Sequence, residues 1–93
     1  MIEINDALPG ADLIREGFRD LEAGLESVPA LLVLVGGPRL RRLGFDVPHT
    51  APFPEDRLYE LLAQRYGNSA HSKYNALIRR LVSFERAATC VKP

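Results

Sequence analysis

The chain has 93 residues, enough for one domain around a single modest core, since such cores usually serve about 100 to 200 residues. Hydrophobic residues at 46% and charged residues at 26% are the balance of an ordinary globular domain, which excludes extended disorder. With 12 Lys+Arg against 12 Asp+Glu and a single Cys, the composition argues against a disulfide scaffold, an obligate nucleic-acid coat and a polybasic membrane anchor.

That neutral total conceals a division. Residues 1–26 hold seven acids and two bases, a net −5, and residues 27–93 hold the compensating +5. Charge asymmetry between halves points to association. The first residues lack the basic stretch and apolar run of a secretory signal, and the longest apolar run, around Ala30 to Val35, is far below the roughly 18 residues of a membrane span. With Cys90 alone unable to form an internal disulfide, a cytoplasmic protein without membrane contact is expected.

The first helix is expected over 11–26. Ile14, Phe18, Leu21, Leu25 and Val28 recur at helical spacing on one face, with Arg15, Glu16, Arg19, Asp20 and Glu22 on the other. Arg19 stands three residues from both Glu16 and Glu22, the spacing of weak helical ion pairs. Gly17 and Gly24 lie seven apart beside the apolar stripe. Each weakens the helix by about 1 kcal/mol relative to Ala, so a smooth strip approached by another helix is the favoured reading over tolerated surface glycine.

Ser27-Val28-Pro29 reads as a helix start, with Ser as N-cap and Pro in the first turn. The run Ala30 to Val35 that follows suits either a buried strand or a buried helix. A strand would need partners and only residues 1–4 resemble one, so a short, fully buried helix is favoured. Gly36 and Gly37 interrupt it and Pro38 opens a further helical turn ending at Gly44, giving a second helical region over 28–44. Residues 45–54 form a loop, because Pro48, Pro52 and Pro54 cannot donate backbone hydrogen bonds.

A third helix is expected over 54–66, with Pro54, Glu55 and Asp56 in its first turn, Leu58, Leu61 and Leu62 on its buried face and Gly67 after its end. The fourth, over 69–89, has the clearest stripe, made of Ala70, Tyr74, Leu77, Leu81, Phe84 and Ala88, and is expected to be the central packing helix. The fold class that follows is all-α, a small irregular bundle of about four helices forming one domain over 1–93.

Catalytic chemistry has little to stand on. The nearest polar cluster, Asn68, Ser69, His71, Ser72 and Asn75, reads best as helix capping with a local His71–Asn75 hydrogen bond, not as a nucleophile–base pair. His49 and His71 do not have the spacing of metal ligands, Cys90 has no neighbouring His, and residues 36–44 lack the Gly-Lys-Ser/Thr ending of a phosphate loop. No catalytic residue, metal or cofactor is therefore expected, and no motif is specific enough to name a family.

Two basic groups remain. Residues 65–93 carry six bases and one acid, Glu85, on or beside the last helix. Helices 54–66 and 69–89 with their Gly turn outline a helix-turn-helix, and Ala63 stands four residues before Gly67 as such motifs prefer. The match is degenerate, since Asn68, Lys73 and Ala76 fall where apolar anchors belong. The second group is Arg39, Arg41 and Arg42, backed by Leu40 and Leu43. The leading expectation is a non-enzymatic protein-interaction or regulatory small subunit, accessory or antitoxin-like, meeting a protein partner or a second copy. Its contact residues are Arg39, Arg42, Arg79, Arg80 and Arg86, with Asp20 and Glu22 on the opposing side. The alternative is a nucleic-acid-binding regulator that sets Lys73, Arg79, Arg80 and Arg86 on phosphates.

Overall fold

A computed structural model describes Ile4, residues 7–48 and residues 52–91. They form α1 (Ala11–Glu22), α2 (Val28–Val35), α3 (Gly37–Arg42), α4 (Pro54–Tyr66) and α5 (Ala70–Val91), with a 3-10 turn at Gly67–Ser69 leading into α5. No strand occurs among the described residues, and the fold is the all-α bundle that the apolar periodicity predicts. The run at Ala30–Val35 is helical, as favoured. His49 lies outside the described residues.

The end of the first helix differs from expectation. The first helix stops at Glu22, not at 26, because Gly24 adopts a left-handed conformation (φ 74). The Leu25 N–H then bonds the Asp20 carbonyl and the Gly24 N–H bonds that of Leu21, the paired closure of a Schellman motif. Leu25 is thereby turned out of the expected stripe and is 56% exposed. The region 28–44 is two helices, broken at Gly36 where the paired glycines are expected to interrupt it. The second of them ends with Phe45 N–H on the Leu40 carbonyl and Gly44 N–H on that of Arg41. Val28 belongs to the first turn of α2, where the Ser27 hydroxyl accepts from the Ala30 N–H at 3.2 Å as predicted.

The centre of the bundle is α2, not the last helix. Leu31, Leu32 and Val33 are fully buried, and α2 touches α1, α3, α4 and α5. A helix with apolar side chains all round must be surrounded, whereas α5, striped on one side only, lies along the outside of that core. The closest approach of α2 is to α1. A Cβ on Gly17 would stand 2.4 Å from both the Pro29 carbonyl oxygen and Val33 Cγ2, so the expected smooth contact exists at Gly17. Gly24 takes no part in it, with nothing within 4 Å of its added Cβ. Ile14, Leu58, Leu62, Leu81, Phe84 and Ala88 complete the core as their spacing predicts.

Between α3 and α4, residues 43–48 cross the bundle as a fixed strap. Phe45 is buried with its ring 5.8 Å from that of Phe18 and 6.0 Å from that of Phe84. The Arg41 guanidinium donates to the Val47 carbonyl at 2.9 Å and to that of Pro48 at 3.4 Å. Arg41 is thus a structural clamp, not part of an exposed basic knob.

Candidate functional site

The basic side chains of α5 do not share one face. At 3.6 residues per turn, Lys73 and Arg80 flank one edge of the buried stripe while Arg79 and Arg86 stand two turns apart on the outer side. The first pair is engaged within the chain. Lys Nζ of residue 73 lies 5.1 Å from the centre of the Tyr66 ring, and Arg80 donates to the Asp12 carboxylate at 2.9 Å. Burial acts to raise the Asp12 carboxyl, but the Leu13 backbone and Arg80 outweigh it and leave the group below the usual range. Among the described residues Arg79 reaches only the Asn75 carbonyl, at 3.4 Å.

Arg86 meets the other basic group. With Arg39 and Arg42 of α3 it surrounds an open cleft of about 740 Å³, floored by Leu43, Thr89 and Cys90. Three of the five basic residues expected at a contact surface therefore converge here, from segments more than forty residues apart in sequence. The Thr89 hydroxyl donates back to the Glu85 carbonyl at 2.8 Å.

At the edge of this cleft lies a residue that sequence reasoning missed. Glu85 is 5% exposed, packed against Gly36, with a carboxylate oxygen 4.0 Å from the Arg39 guanidinium. Burial pushes its carboxyl above the ordinary value, and Arg39 offsets part of that rise. The sequence signal was present: Glu85 stands four residues after Leu81, on the edge of the apolar stripe.

The acids of the first half are placed differently. Asp20 is engaged within the chain: its carboxylate accepts from the Ser27 hydroxyl at 2.6 Å and so braces the α2 cap. Glu26 pairs with Arg57, which also reaches Glu60. The expected pairs of Arg19 with Glu16 and Glu22 do not form among the described residues. Glu22 instead stands exposed beside Phe18, Leu21, Asp46 and Pro48, which outline a groove of about 470 Å³.

The remaining polar cluster does not assemble as a cap. Asn68 and Ser69 lie in the 3-10 turn, with no side-chain cap bond at its start, since that turn carries the backbone directly into α5. His71 is exposed, its ring 6.3 Å from that of Tyr59, which also meets Tyr74 at 5.6 Å; the Asn75 bond is not made. Those aromatic contacts join α4 to α5, whereas Ala63, expected at a helix-turn-helix crossing, is exposed. Among the described residues no three His, Cys, Asp or Glu side chains gather as a metal site, and no helix is long and apolar enough to cross a membrane. Comparison with protein-family models, with curated proteins and with solved structures finds no match to this chain.

Proposed function

We propose that this chain is a non-enzymatic interaction module, an accessory or regulatory subunit of the antitoxin-like kind, acting in the cytoplasm through the Arg39–Arg42–Arg86 cleft. The observation that supports it most is the convergence of three guanidinium groups around an apolar floor, with the nearby acid, Glu85, withdrawn into the core. Arginine suits such a surface because its planar fork binds carboxylates in two-point fashion. An acidic, partly apolar protein segment is the matching occupant. His71, on which a hydrolytic reading would depend, rests against Tyr59.

The test is purification of tagged wild type and of an Arg42→Glu/Arg86→Glu variant from the native host, with far-UV circular dichroism to verify folding. Arg39 is kept because it faces Glu85. A companion protein in fixed ratio, lost from the folded variant, is the expected result. A companion retained by the variant would move the contact away from the cleft. The alternative, nucleic-acid binding through α5, draws on Arg79 and Arg86 standing in line on the outer face. Lys73 and Arg80, its other two contacts, are held within the chain by Tyr66 and Asp12.

A further inference from the structure

The strap at 43–48 does more than close the core, because a surface of opposite character lies on each side of it. Leu43 faces the basic cleft with Arg39, Arg42 and Arg86. Asp46 and Pro48 face the groove that Phe18, Leu21 and Glu22 complete. Leu43 and Asp46 are three residues apart, at most about 10 Å along an extended chain. The strap therefore lends a lining residue to each charged field, and Arg42 and Asp46, one from each, stand four residues apart in the chain. Glu22 and Asp46 are both exposed, and neither has an ion-pair partner among the described residues.

We infer that the occupant of this face is a second copy of the chain, paired about a two-fold axis running along the strap. This rests on the reading of the cleft as a contact surface and names what fills it. A face that is basic on one side of a line and acidic on the other becomes self-complementary when a copy is turned half a revolution about that line. Each copy's Arg42 and Arg86 then oppose the other's Glu22 and Asp46, twice over. Each charged field also carries apolar surface, Leu43 on one side and Phe18, Leu21 and Pro48 on the other, so contact removes hydrocarbon from water as well as matching charge. The strap is already fixed by Arg41 and by the buried Phe45 ring, which limits the ordering cost of association.

Two oppositely altered variants test the pairing. Arg42→Glu/Arg86→Glu turns two of the three cleft arginines acidic, and Glu22→Lys/Asp46→Lys makes the face basic throughout. Light scattering on a sizing column gives the mass of each, with circular dichroism verifying the fold. Wild type is expected at twice 10.3 kDa in low salt. It is expected to dissociate as ionic strength rises from about 50 to about 500 mM, where the Debye length shrinks from roughly 14 to 4 Å. Each variant alone sets like charges together and is expected to dimerise roughly a hundredfold more weakly. An equal mixture restores both contacts and is expected to return the doubled mass as a heterodimer.

Wild type that stays at 10.3 kDa in low salt overturns the pairing. So does a salt-sensitive wild-type dimer whose variants do not complement in the mixture, since another surface would then hold it. If either variant fails to fold, the milder Arg86→Gln and Asp46→Asn variants decide the matter by the same mass measurement. Each removes one of the proposed contacts in both halves of the pair and is expected to weaken the dimer; a dimer unchanged by both overturns the pairing. A monomeric wild type that still loses a different companion on Arg42→Glu/Arg86→Glu would remove the self-pairing and leave the contact role of the cleft standing.

Discussion

Replacing Gly17 by Ala decides between two effects of opposite sign. In an open helix position the change stabilises by about 0.8 to 1.0 kcal/mol, because alanine loses less backbone entropy on folding. At Gly17 the new methyl would lie 2.4 Å from the Pro29 carbonyl oxygen and 2.4 Å from Val33 Cγ2, where contacts below 3.0 Å force movement. Neither neighbour yields easily. The oxygen belongs to the α2 backbone, and Val33 is fully buried with a β-branched side chain that holds one strongly preferred rotamer. Relief requires α2 to slide away from α1, and α2 is surrounded by the rest of the bundle. Overpacking of this kind costs about 1 to 3 kcal/mol, and an overlap against fixed backbone belongs at the upper end. The clash wins by about 2 kcal/mol, which lowers the melting temperature of a domain this size by roughly 8 to 16 °C.

Urea unfolding and thermal melting followed by circular dichroism measure the change. Gly24→Asn is the control, because asparagine tolerates the left-handed conformation and nothing stands within 4 Å of the added Cβ. It should melt within a few degrees of wild type. A Gly17→Ala protein more stable than wild type would mean that helix propensity alone operates there, and would refute the close packing of α1 on α2.

Ser27→Ala removes the α2 cap and takes from Asp20 the hydroxyl it accepts from; a loss of about 1 kcal/mol is expected in urea unfolding. An unchanged midpoint would count against the cap. Glu85→Gln should stabilise the protein near neutral pH. Burial raises the Glu85 carboxyl above its ordinary 4.5, with Arg39 offsetting part of the rise, so the folded state holds its proton more tightly than the unfolded chain. The stability due to that protonation is present below 4.5 and lost as pH rises through the folded value, so the advantage of Gln should shrink on acidification. Equal stability of the two proteins across the range would refute the burial effect. For mixed-sequence duplex DNA, no binding is expected even at about 50 mM salt. Binding that weakens steeply with salt, and disappears in a folded Arg79→Glu/Arg80→Glu variant, would restore α5 as a nucleic-acid surface.

Helical periodicity made most of the core readable, since Ile14, Leu58, Leu62, Leu81 and Phe84 each sit on a stripe whose burial follows from spacing alone. The Ser27 cap was equally plain, because Ser followed by Pro two residues later leaves little other use for either. Gly24 was misassigned because glycine serves both close packing and left-handed turns, and spacing cannot separate the two uses. The separation of Lys73 and Arg80 from Arg79 and Arg86 was available from helical geometry, yet counting charge over 65–93 obscured it. The cleft itself lay beyond sequence reading. It depends on α3 lying beside the end of α5, a contact across more than forty residues that no local pattern encodes.

The charge division takes on a definite form once the fold is known. Part of it is neutralised inside the molecule, where Arg80–Asp12 and Arg57–Glu26 each join the basic half to the acidic one. These ion pairs are solvent-exposed, and such pairs add little to stability, so the division is not explained by holding the fold together. The other charges are spatially ordered: Arg39, Arg42 and Arg86 on one side of the strap, and the exposed Glu22 and Asp46 on the other. With a formal net charge of zero the opposite charges cancel at long range, which limits attraction to polyanions and polycations alike. At contact distance they select orientation, because a copy turned the wrong way sets like charges together. A neutral total with a two-sided face therefore favours one specific, short-range encounter over general electrostatic attraction.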